Sequence, residues 1–174
     1  MIYRYQIIIE YDGTNLYGFQ IQKKGNTVQK LVQSTISKIL KENIKIIGAG
    51  RTDKNVNSWG QSAHFDTKKK IINVKKFIQT LNFFLNQKLI SITEIKKRNL
   101  NFHARYSAKE RIYEYIILNR IATPSLDKNK VWHIKKKLDL EIMKKGAKKL
   151  LGTHDFSTFR ASNCYSESLS LIHI

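Results

Sequence analysis

Hydrophobic and polar residues alternate along the first segment of the chain. From Tyr3 to Tyr11 the odd positions are aromatic or aliphatic, whereas Arg4 and Gln6 occupy even positions. Because successive side chains of a strand point to opposite faces, this pattern predicts a strand with one buried face. Residues 12–13, Asp-Gly, then predict a turn.

Two segments show the hydrophobic spacing of amphipathic helices. The first helix is expected behind Asn26 as N-cap, with Gln29 three residues later, and the second behind Asn73. The apolar stripe of the first helix comprises Val28, Leu31, Val32, Thr35, Ile36, Ile39 and Leu40, and that of the second comprises Val74, Phe77, Ile78, Leu81 and Leu85. Each stripe repeats at intervals of three and four residues, which predicts one buried helix face.

Strand-like segments at 44–49, about 60–67 and 89–95 complete the order β, α, β, β, α, β. This order is typical of a ferredoxin-like, split βαβ unit, in which an antiparallel sheet carries both helices on one face. We therefore predict an α+β fold with a first domain at residues 1–104. The other face of its sheet is expected to be free for a ligand.

After residue 104 the pattern starts again and is not completed. The expected elements are a strand from Arg111 to Leu118, a loop at 122–129, a strand at 131–134, a helix at 140–151 between Asp139 and Gly152, and a strand at 169–174. We predict that residues 105–174 form a second, incomplete α+β domain.

The composition is that of a folded globular chain. Its 174 residues are 41% hydrophobic and 10% aromatic, and no apolar run reaches the roughly 18 residues of a membrane span. The N-terminus enters a strand-like pattern without the features of a signal peptide, so we expect a soluble, cytoplasmic protein. Cys164 is the only cysteine, which excludes an internal disulfide and a zinc site built from cysteines.

The chain is strongly basic. Lys and Arg number 32 against 13 acidic residues, for a net charge of +19 and a pI near 10.0. This balance predicts attraction to a polyanion such as RNA, DNA or an anionic membrane. Compositional drift is the alternative, because 25 of the 32 basic residues are Lys.

The loop Gly50-Arg51-Thr52-Asp53 follows an apolar, strand-like segment. A guanidinium two positions from a carboxylate favours the ionised carboxylate, which can act as a nucleophile or a base. Asp53 is therefore the candidate catalytic residue, with Arg51 as its partner. The alternative is an ordinary surface turn with a structural Asp.

Basic and aromatic side chains alternate or cluster in three later segments. In the predicted strand, Arg111 and Tyr113 share a face, where an arginine could contact phosphate beside a ring that stacks on an extruded base. His103 and Arg105 lie in one aromatic and basic segment and Arg160 in another, at 154–160. These segments could line an RNA groove, or they could pack against the core.

Several collinear segments together resemble the tRNA pseudouridine synthases of the A type. They are Glu10-Tyr11-Asp12-Gly13-Thr14, Gly18-Phe19-Gln20, Gly50-Arg51-Thr52-Asp53, Gly60-Gln61, His64-Phe65, Phe102-His103-Ala104-Arg105-Tyr106-Ser107-Ala108, Arg111 with Tyr113 and Tyr115, and Gly152-Thr153-His154-Asp155-Phe156-Ser157. Their order spans the whole chain, which makes the resemblance specific.

The resemblance implies an isomerase that converts uridine to pseudouridine at positions 38 to 40 in the anticodon stem-loop of tRNA. It implies that Asp53 is the nucleophile, that Arg51 holds the carboxylate and helps displace the base, and that Tyr113 stacks on the base. No metal or cofactor is expected. The family works as a homodimer, so a homodimer that binds tRNA, with no membrane partner, is expected.

The chain departs from the family pattern in two ways. Lys54, Asn55 and Asn57 replace Ala, Gly and His of the family motif. Family members also continue beyond the point corresponding to Ile174. A shortened, catalytically impaired RNA-binding descendant and a basic structural RNA binder are the alternative functions.

Overall fold

The computed structural model describes residues 1–156, 158 and 170–171. The helices are α1 Val28–Leu40, α2 Val74–Leu85 and α3 Leu140–Lys148, with a short 3-10 helix at Asn86–Lys88. The strands are β1 Tyr3–Tyr11, β2 Ile46–Gly48, β3 Ser58–Thr67, β4 Ile90–Arg98, β5 Ile117–Asn119, β6 Trp132–Ile134, β7 His154–Asp155 and β8 Ser170–Leu171. The chain divides into two compact units, the first at Met1–Tyr113 and the second at Glu114–Ile174. The domain ranges 1–104 and 105–174 stay predictions.

The first unit has the predicted ferredoxin-like topology. Its sheet has the order β2-β3-β1-β4, and every neighbouring pair of strands is antiparallel. The helices α1 and α2 contact each other, and α2 also packs on β4. The α+β fold class is thus confirmed.

The alternation of β1 separates the core from the opposite sheet face. The odd positions Tyr5, Ile7, Ile9 and Tyr11 are at most 3% exposed, whereas the even positions are half-buried. Every fourth position of α1 from Val28 to Leu40 is buried in the same cluster. The hydrophobic period therefore places both helices against one face of the sheet.

The helix starts show one correction. Asn73 caps α2 as predicted, and its side chain accepts a hydrogen bond from the backbone of Lys76. The N-cap of α1 is Thr27, not Asn26, because the Thr27 hydroxyl accepts from the Lys30 N–H. The backbone carbonyl of Asn26 instead accepts from Tyr17 N–H in the preceding loop.

The strand predicted at 44–49 is shorter in the structure. Only Ile46–Gly48 pairs with β3. Ile44 is fully buried, but its N–H donates to the hydroxyl of Ser37 and is unavailable to a strand partner. The prediction began the strand at Ile44 because this residue is apolar and buried, although it pairs with no strand.

The sheet face opposite the helices is covered in part, which corrects the expectation of a free face. Arg4 donates to the backbone carbonyls of Leu100 and Phe102 at 2.6 and 2.8 Å. His64, on the same face, is 2% exposed and accepts a hydrogen bond from the N–H of Ala104. The segment at 99–107 thus packs across this face.

In the second unit, β5 and β6 pair in parallel, and the described part of β8 pairs antiparallel with β7. Helix α3 begins after Asp139, as predicted, and ends at Lys148 rather than at 151. The predicted strand from Arg111 to Leu118 is wrong for residues 111–116, which belong to no strand. Of the predicted strand at 169–174, only Ser170–Leu171 lies within the described residues.

No helix in the described part of the chain has the length and apolar character needed to cross a membrane.

Candidate active site

The loop that carries Asp53 is attached to the protein through its backbone. Phe19 N–H donates to the Thr52 carbonyl at 3.0 Å, and the Thr52 hydroxyl is 2.8 Å from the hydroxyl of Tyr11. The Asp53 carbonyl accepts from Val56 N–H at 3.3 Å, which closes a turn. Asp53 itself is exposed. An exposed carboxylate on an anchored backbone can reach a substrate from a fixed position.

The unusual residues after Asp53 fit the loop. Asn55 has φ 65°, a left-handed conformation that Asn adopts at lower cost than other non-glycine residues. Asn57 Oδ1 accepts from the backbone N–H of Gly13 at 2.7 Å. The ammonium of Lys54 lies 4.7 Å from the ring centroid of Tyr17. The loop therefore accommodates Asn55 in its backbone conformation, and Asn57 and Lys54 contact the preceding loop.

Two glycines allow the preceding loop to approach the Asp53 loop. A Cβ atom at Gly18, which has φ +79°, would lie 2.4 Å from the carbonyl oxygen of Thr52. A Cβ atom at Gly13 would lie 2.2 Å from the carbonyl oxygen of Val56. Backbone atoms cannot give way cheaply at such distances, so both positions require glycine.

Arg51 and Asp53 are both exposed at the loop surface. Within the described residues, the ion pairs are Arg4–Asp66, Lys96–Glu94 and Lys144–Glu141, so the expected Arg51–Asp53 pair is not formed. The two residues lie two positions apart in the same loop. The assignment of Asp53 as nucleophile and Arg51 as its partner stays a prediction.

Tyr113 lies near the buried phenol of Tyr11. Burial raises the pKa of Tyr11 above its usual value, hydrogen bonds from Thr52 and Ser58 oppose the rise, and the charge of a Tyr113 phenolate adds to it. The Tyr113 side chain is 68% exposed. The ring of Tyr113 is therefore accessible to solvent. It lies near Tyr11, the residue whose hydroxyl forms a hydrogen bond with Thr52.

Arg111 contacts protein backbone. Its Nη2 atom donates to the carbonyl of Ala49 at 2.9 Å and to the carbonyl of Arg105 at 3.2 Å. Because residues 111–116 form no strand, the predicted alternation that put Arg111 and Tyr113 on one sheet face does not apply. Arg111 instead reaches the start of the Asp53 loop.

His103 and Arg105 lie in the segment that covers the sheet. His103 Nδ1 accepts from the backbone N–H groups of Arg105 and Tyr106 at 3.3 and 3.4 Å. The guanidinium carbon of Arg105 lies 5.9 Å from the Tyr106 ring centroid. The predicted RNA contacts of both residues stay predictions. Arg160 lies outside the described residues.

The sequence did not single out Gln61 by role, although it belongs to one of the quoted segments. Its Nε2 atom donates to the Gly50 carbonyl at 2.9 Å. The hydroxyl of Tyr11 was likewise expected only in the core. The Tyr11–Thr52 contact joins residues 41 positions apart and the Gln61–Gly50 contact joins residues 11 positions apart, and no local pattern indicates either contact.

A cavity of about 270 Å³ lies elsewhere in the first unit, lined in part by Asp12, Leu16, Asn26 and Leu89. None of the candidate catalytic residues lines it. Among the described residues, no three His, Cys, Asp or Glu side chains are grouped to hold a metal ion.

Comparison with known proteins identifies relatives over most of the chain. A family profile described as tRNA pseudouridine synthase matches residues 7–107. The tRNA pseudouridine synthase A of Pelagibacter ubique is 59% identical over 167 residues, which cover 96% of this chain and 68% of the relative. The enzymes of the same name from a Thermoanaerobacter species and from Caulobacter vibrioides are 46% and 41% identical, over 90% and 95% of this chain.

The chain spans about two thirds of the length of these relatives, 63% to 68%. The matched region includes the Asp53 loop, most of the sheet and the covering segment at 99–107. Identity at this level over nearly the whole chain, together with the family profile, places the chain in the tRNA pseudouridine synthase family, a family of RNA-modifying isomerases.

Proposed function

We propose that the chain converts uridine to pseudouridine at positions 38 to 40 of the tRNA anticodon stem-loop, with Asp53 as nucleophile. The observation that carries the proposal is an exposed carboxylate on a loop held by a hydrogen bond between the hydroxyls of Tyr11 and Thr52 and by a hydrogen bond from the N–H of Phe19. The net charge of +19 supports a polyanionic substrate. The family supports pseudouridine synthesis.

The reaction is an isomerisation, so all atoms of the uridine are kept. The bond from ribose C1′ to uracil N1 breaks, the base turns, and a bond from C1′ to C5 forms. The C5 proton leaves and N1 gains one. Asp53 attacks either the uracil ring or the ribose and is released when the new bond is complete. One ionised carboxylate suffices for this covalent step, and no metal or cofactor takes part.

The other proposed contacts place the base. Arg51 enters the stem-loop as the target uridine leaves the stack. The exposed ring of Tyr113 stacks on the extruded uracil. His103 and Arg105 lie beside the RNA, together with Arg160. A homodimer that binds one tRNA across both subunits is part of the proposal.

Chemical mapping of pseudouridine in an unmodified tRNA transcript tests the proposal. The parent chain is expected to modify the anticodon stem-loop, whereas Asp53→Ala and Asp53→Glu are expected to give no product. Asp127→Ala is a matched control, because Asp127 is another exposed loop carboxylate and lies in the second unit. Product from Asp53→Ala, or loss of product in Asp127→Ala, would contradict the role of Asp53.

Binding measured beside the mapping separates an enzyme from an RNA-binding descendant. Salt-sensitive binding of tRNA without product would favour the descendant. Counterion release predicts a steep fall in affinity as salt rises. A flat response to salt would contradict the polyanion argument in both cases.

A further inference from the structure

The junction between β2 and the Asp53 loop has two successive carbonyl groups that receive side-chain donors. Arg111 Nη2 donates to the carbonyl of Ala49 at 2.9 Å, and Gln61 Nε2 donates to the carbonyl of Gly50 at 2.9 Å. The N–H of Ala49 donates to the carbonyl of Ser62 at 2.7 Å. The backbone at residues 49–50 is thus fixed from both β3 and the segment that carries Arg111.

Arg111 also joins this junction to the covering segment. The same Nη2 atom donates to the carbonyl of Arg105 at 3.2 Å. One guanidinium nitrogen therefore bridges two carbonyl groups that lie 56 residues apart in the chain (105 minus 49). A charged donor makes stronger hydrogen bonds than a neutral one.

The side chain of Arg111 passes close to Gly50 of the loop. A Cβ atom built at Gly50 would lie 3.6 Å from Arg111 Nε and 3.8 Å from Arg111 Cδ, which is van der Waals contact. The same atom would lie 3.8 Å from Gln61 Nε2. Both side chains therefore cross the backbone of the loop three residues before Asp53.

We propose that Arg111, assisted by Gln61, is a positioning residue that holds the Asp53 loop, and that it does not serve as a phosphate contact. The proposal rests on the proposed function, in which Asp53 attacks the uridine. It replaces the phosphate contact expected for Arg111 from its spacing to Tyr113.

The loop is then fixed on both sides of Arg51. Arg111 and Gln61 hold residues 49 and 50, and the hydroxyl of Tyr11 with the N–H of Phe19 holds Thr52. A displacement of about 1 Å at a reacting group can lower a rate about 100-fold. Loss of the carbonyl contacts should therefore affect turnover more than binding of tRNA.

Replacement of Arg111 by Lys and by Gln distinguishes the two roles. A lysine keeps the charge, but its ammonium ends short of the position of Arg111 Nη2, from which both carbonyl groups are reached, and it lacks the planar guanidinium geometry. For a positioning residue, both Arg111→Lys and Arg111→Gln should lower kcat about 10- to 100-fold. KM should stay within about threefold, and the dependence of tRNA binding on salt should match the parent.

A phosphate contact would give another pattern. Arg111→Lys would then behave like the parent, and Arg111→Gln would raise KM and reduce the salt slope by about one. That pattern would overturn the proposal. Gln61→Met, which keeps the length of the side chain and removes the donor, is expected to lower kcat with KM unchanged. An unchanged kcat in Gln61→Met and Arg111→Lys would also overturn it.

Arg120 offers a matched control. It is another exposed arginine that donates to two loop carbonyls, those of Ala122 and Thr123 at 3.0 and 3.4 Å, and it lies in the second unit. Arg120→Lys is expected to leave kcat unchanged. An equal loss in Arg120→Lys would show that the effect is not specific to the Asp53 loop and would overturn the proposal.

Hydrogen exchange separates this proposal from the proposed function, because it needs no turnover. The amides of Ala49, Phe19 and Val56, which donate at this loop to the carbonyls of Ser62, Thr52 and Asp53, should exchange at least about tenfold faster in Arg111→Lys, as expected for local opening. The amides of Ile7 and Ile9 in β1 should exchange as in the parent. Equal protection of the loop would overturn the positioning role, whether or not the chain produces pseudouridine.

Discussion

The Nδ1 atom of His64 accepts a hydrogen bond of 3.1 Å from the backbone N–H of Ala104. This contact fixes the segment at 99–107 to the sheet face opposite the helices. The His103 ring packs on the same imidazole, with 4.8 Å between ring centroids. An acceptor at Nδ1 requires that this atom carry no proton, so the covering segment depends on neutral His64.

The stability of the fold is expected to depend on pH through His64. Burial is the largest cause that lowers the pKa of His64 from 6.5 to about 4; Arg4 and His103 act in the same direction, and the negative charge of Asp66 acts against them. The unfolded chain therefore binds a proton at this site at a higher pH than the folded chain. Stability from neutral His64 is complete above pH 6.5 and is lost as pH falls toward 4, by roughly 3 kcal/mol.

Urea unfolding at pH 7 and pH 5 measures this loss. The variant His64→Asn keeps an acceptor near the position of Nδ1 and does not titrate, so its stability should fall less over this range than that of the parent. Equal losses in parent and variant would contradict the prediction. The lowered pKa of Asp66, caused mainly by its hydrogen bonds with Arg4, affects stability below about pH 4 and does not confuse this range.

Arg4 is the second target. Its Nε and Nη2 atoms each donate to Asp66 at 2.7 Å, and its Nη1 atom donates to the carbonyls of Leu100 and Phe102. A lysine cannot make this set of contacts, so Arg4→Lys should lower the free energy of unfolding by about 1–3 kcal/mol. Chemical denaturation measures the change.

The control for Arg4 is the exposed pair of Lys144 and Glu141. Lys144→Met should change stability by less than about 0.5 kcal/mol, because exposed pairs contribute little. A similar loss of stability in both variants would contradict the prediction that the partial burial and the backbone contacts of Arg4 make it more stabilising than an exposed ion pair.

Gly18 is the third target. A Cβ atom added at position 18 would clash with the Thr52 carbonyl, and Gly18 has a φ of +79°, which is strained for alanine. Gly18→Ala should therefore displace the backbone at Thr52, the residue that precedes Asp53. We expect a loss of about 1–3 kcal/mol in stability and a marked loss of pseudouridine formation. In Gly146→Ala, by contrast, nothing lies within 4 Å of the added atom, and a gain of up to about 1 kcal/mol is expected within a helix. Full activity in Gly18→Ala would contradict the close approach.

Tyr113 is the fourth target. If its exposed ring stacks on the base, Tyr113→Phe should retain more pseudouridine formation than Tyr113→Leu, because the ring face makes the contact. Single-turnover kinetics on a tRNA transcript compare the two variants. Equal losses would argue that the hydroxyl is needed or that stacking is absent.

Local pattern was sufficient for β1 and for the extent of α1 in the first unit. The alternation from Tyr3 to Tyr11 and the stripe from Val28 to Leu40 match β1 and α1 residue for residue, because each is determined by burial of one face. Asn55, which replaces a glycine of the family motif, has φ 65°, and Asn adopts this left-handed conformation more readily than other non-glycine residues.

Contacts distant in sequence could not be predicted in this way. Residues 111–116 alternate like a strand but belong to none, because a strand requires a partner as well as a pattern. Arg111 was expected to face RNA, and its contact with the Ala49 carbonyl joins residues 62 positions apart. Tyr11 reaches Thr52 of the Asp53 loop through another distant contact, across 41 positions.

The position of β1 has a consequence for synthesis on the ribosome. Both of its partner strands are translated after it, since Tyr5 pairs with Phe65 on one side and with Lys97 on the other. Its run of three isoleucines, residues 7–9, therefore has no partner until β3 has been translated and lacks its second partner until β4 follows, which exposes an aggregation-prone segment in the nascent chain. Rapid elongation or a chaperone on this segment would shorten or shield that interval.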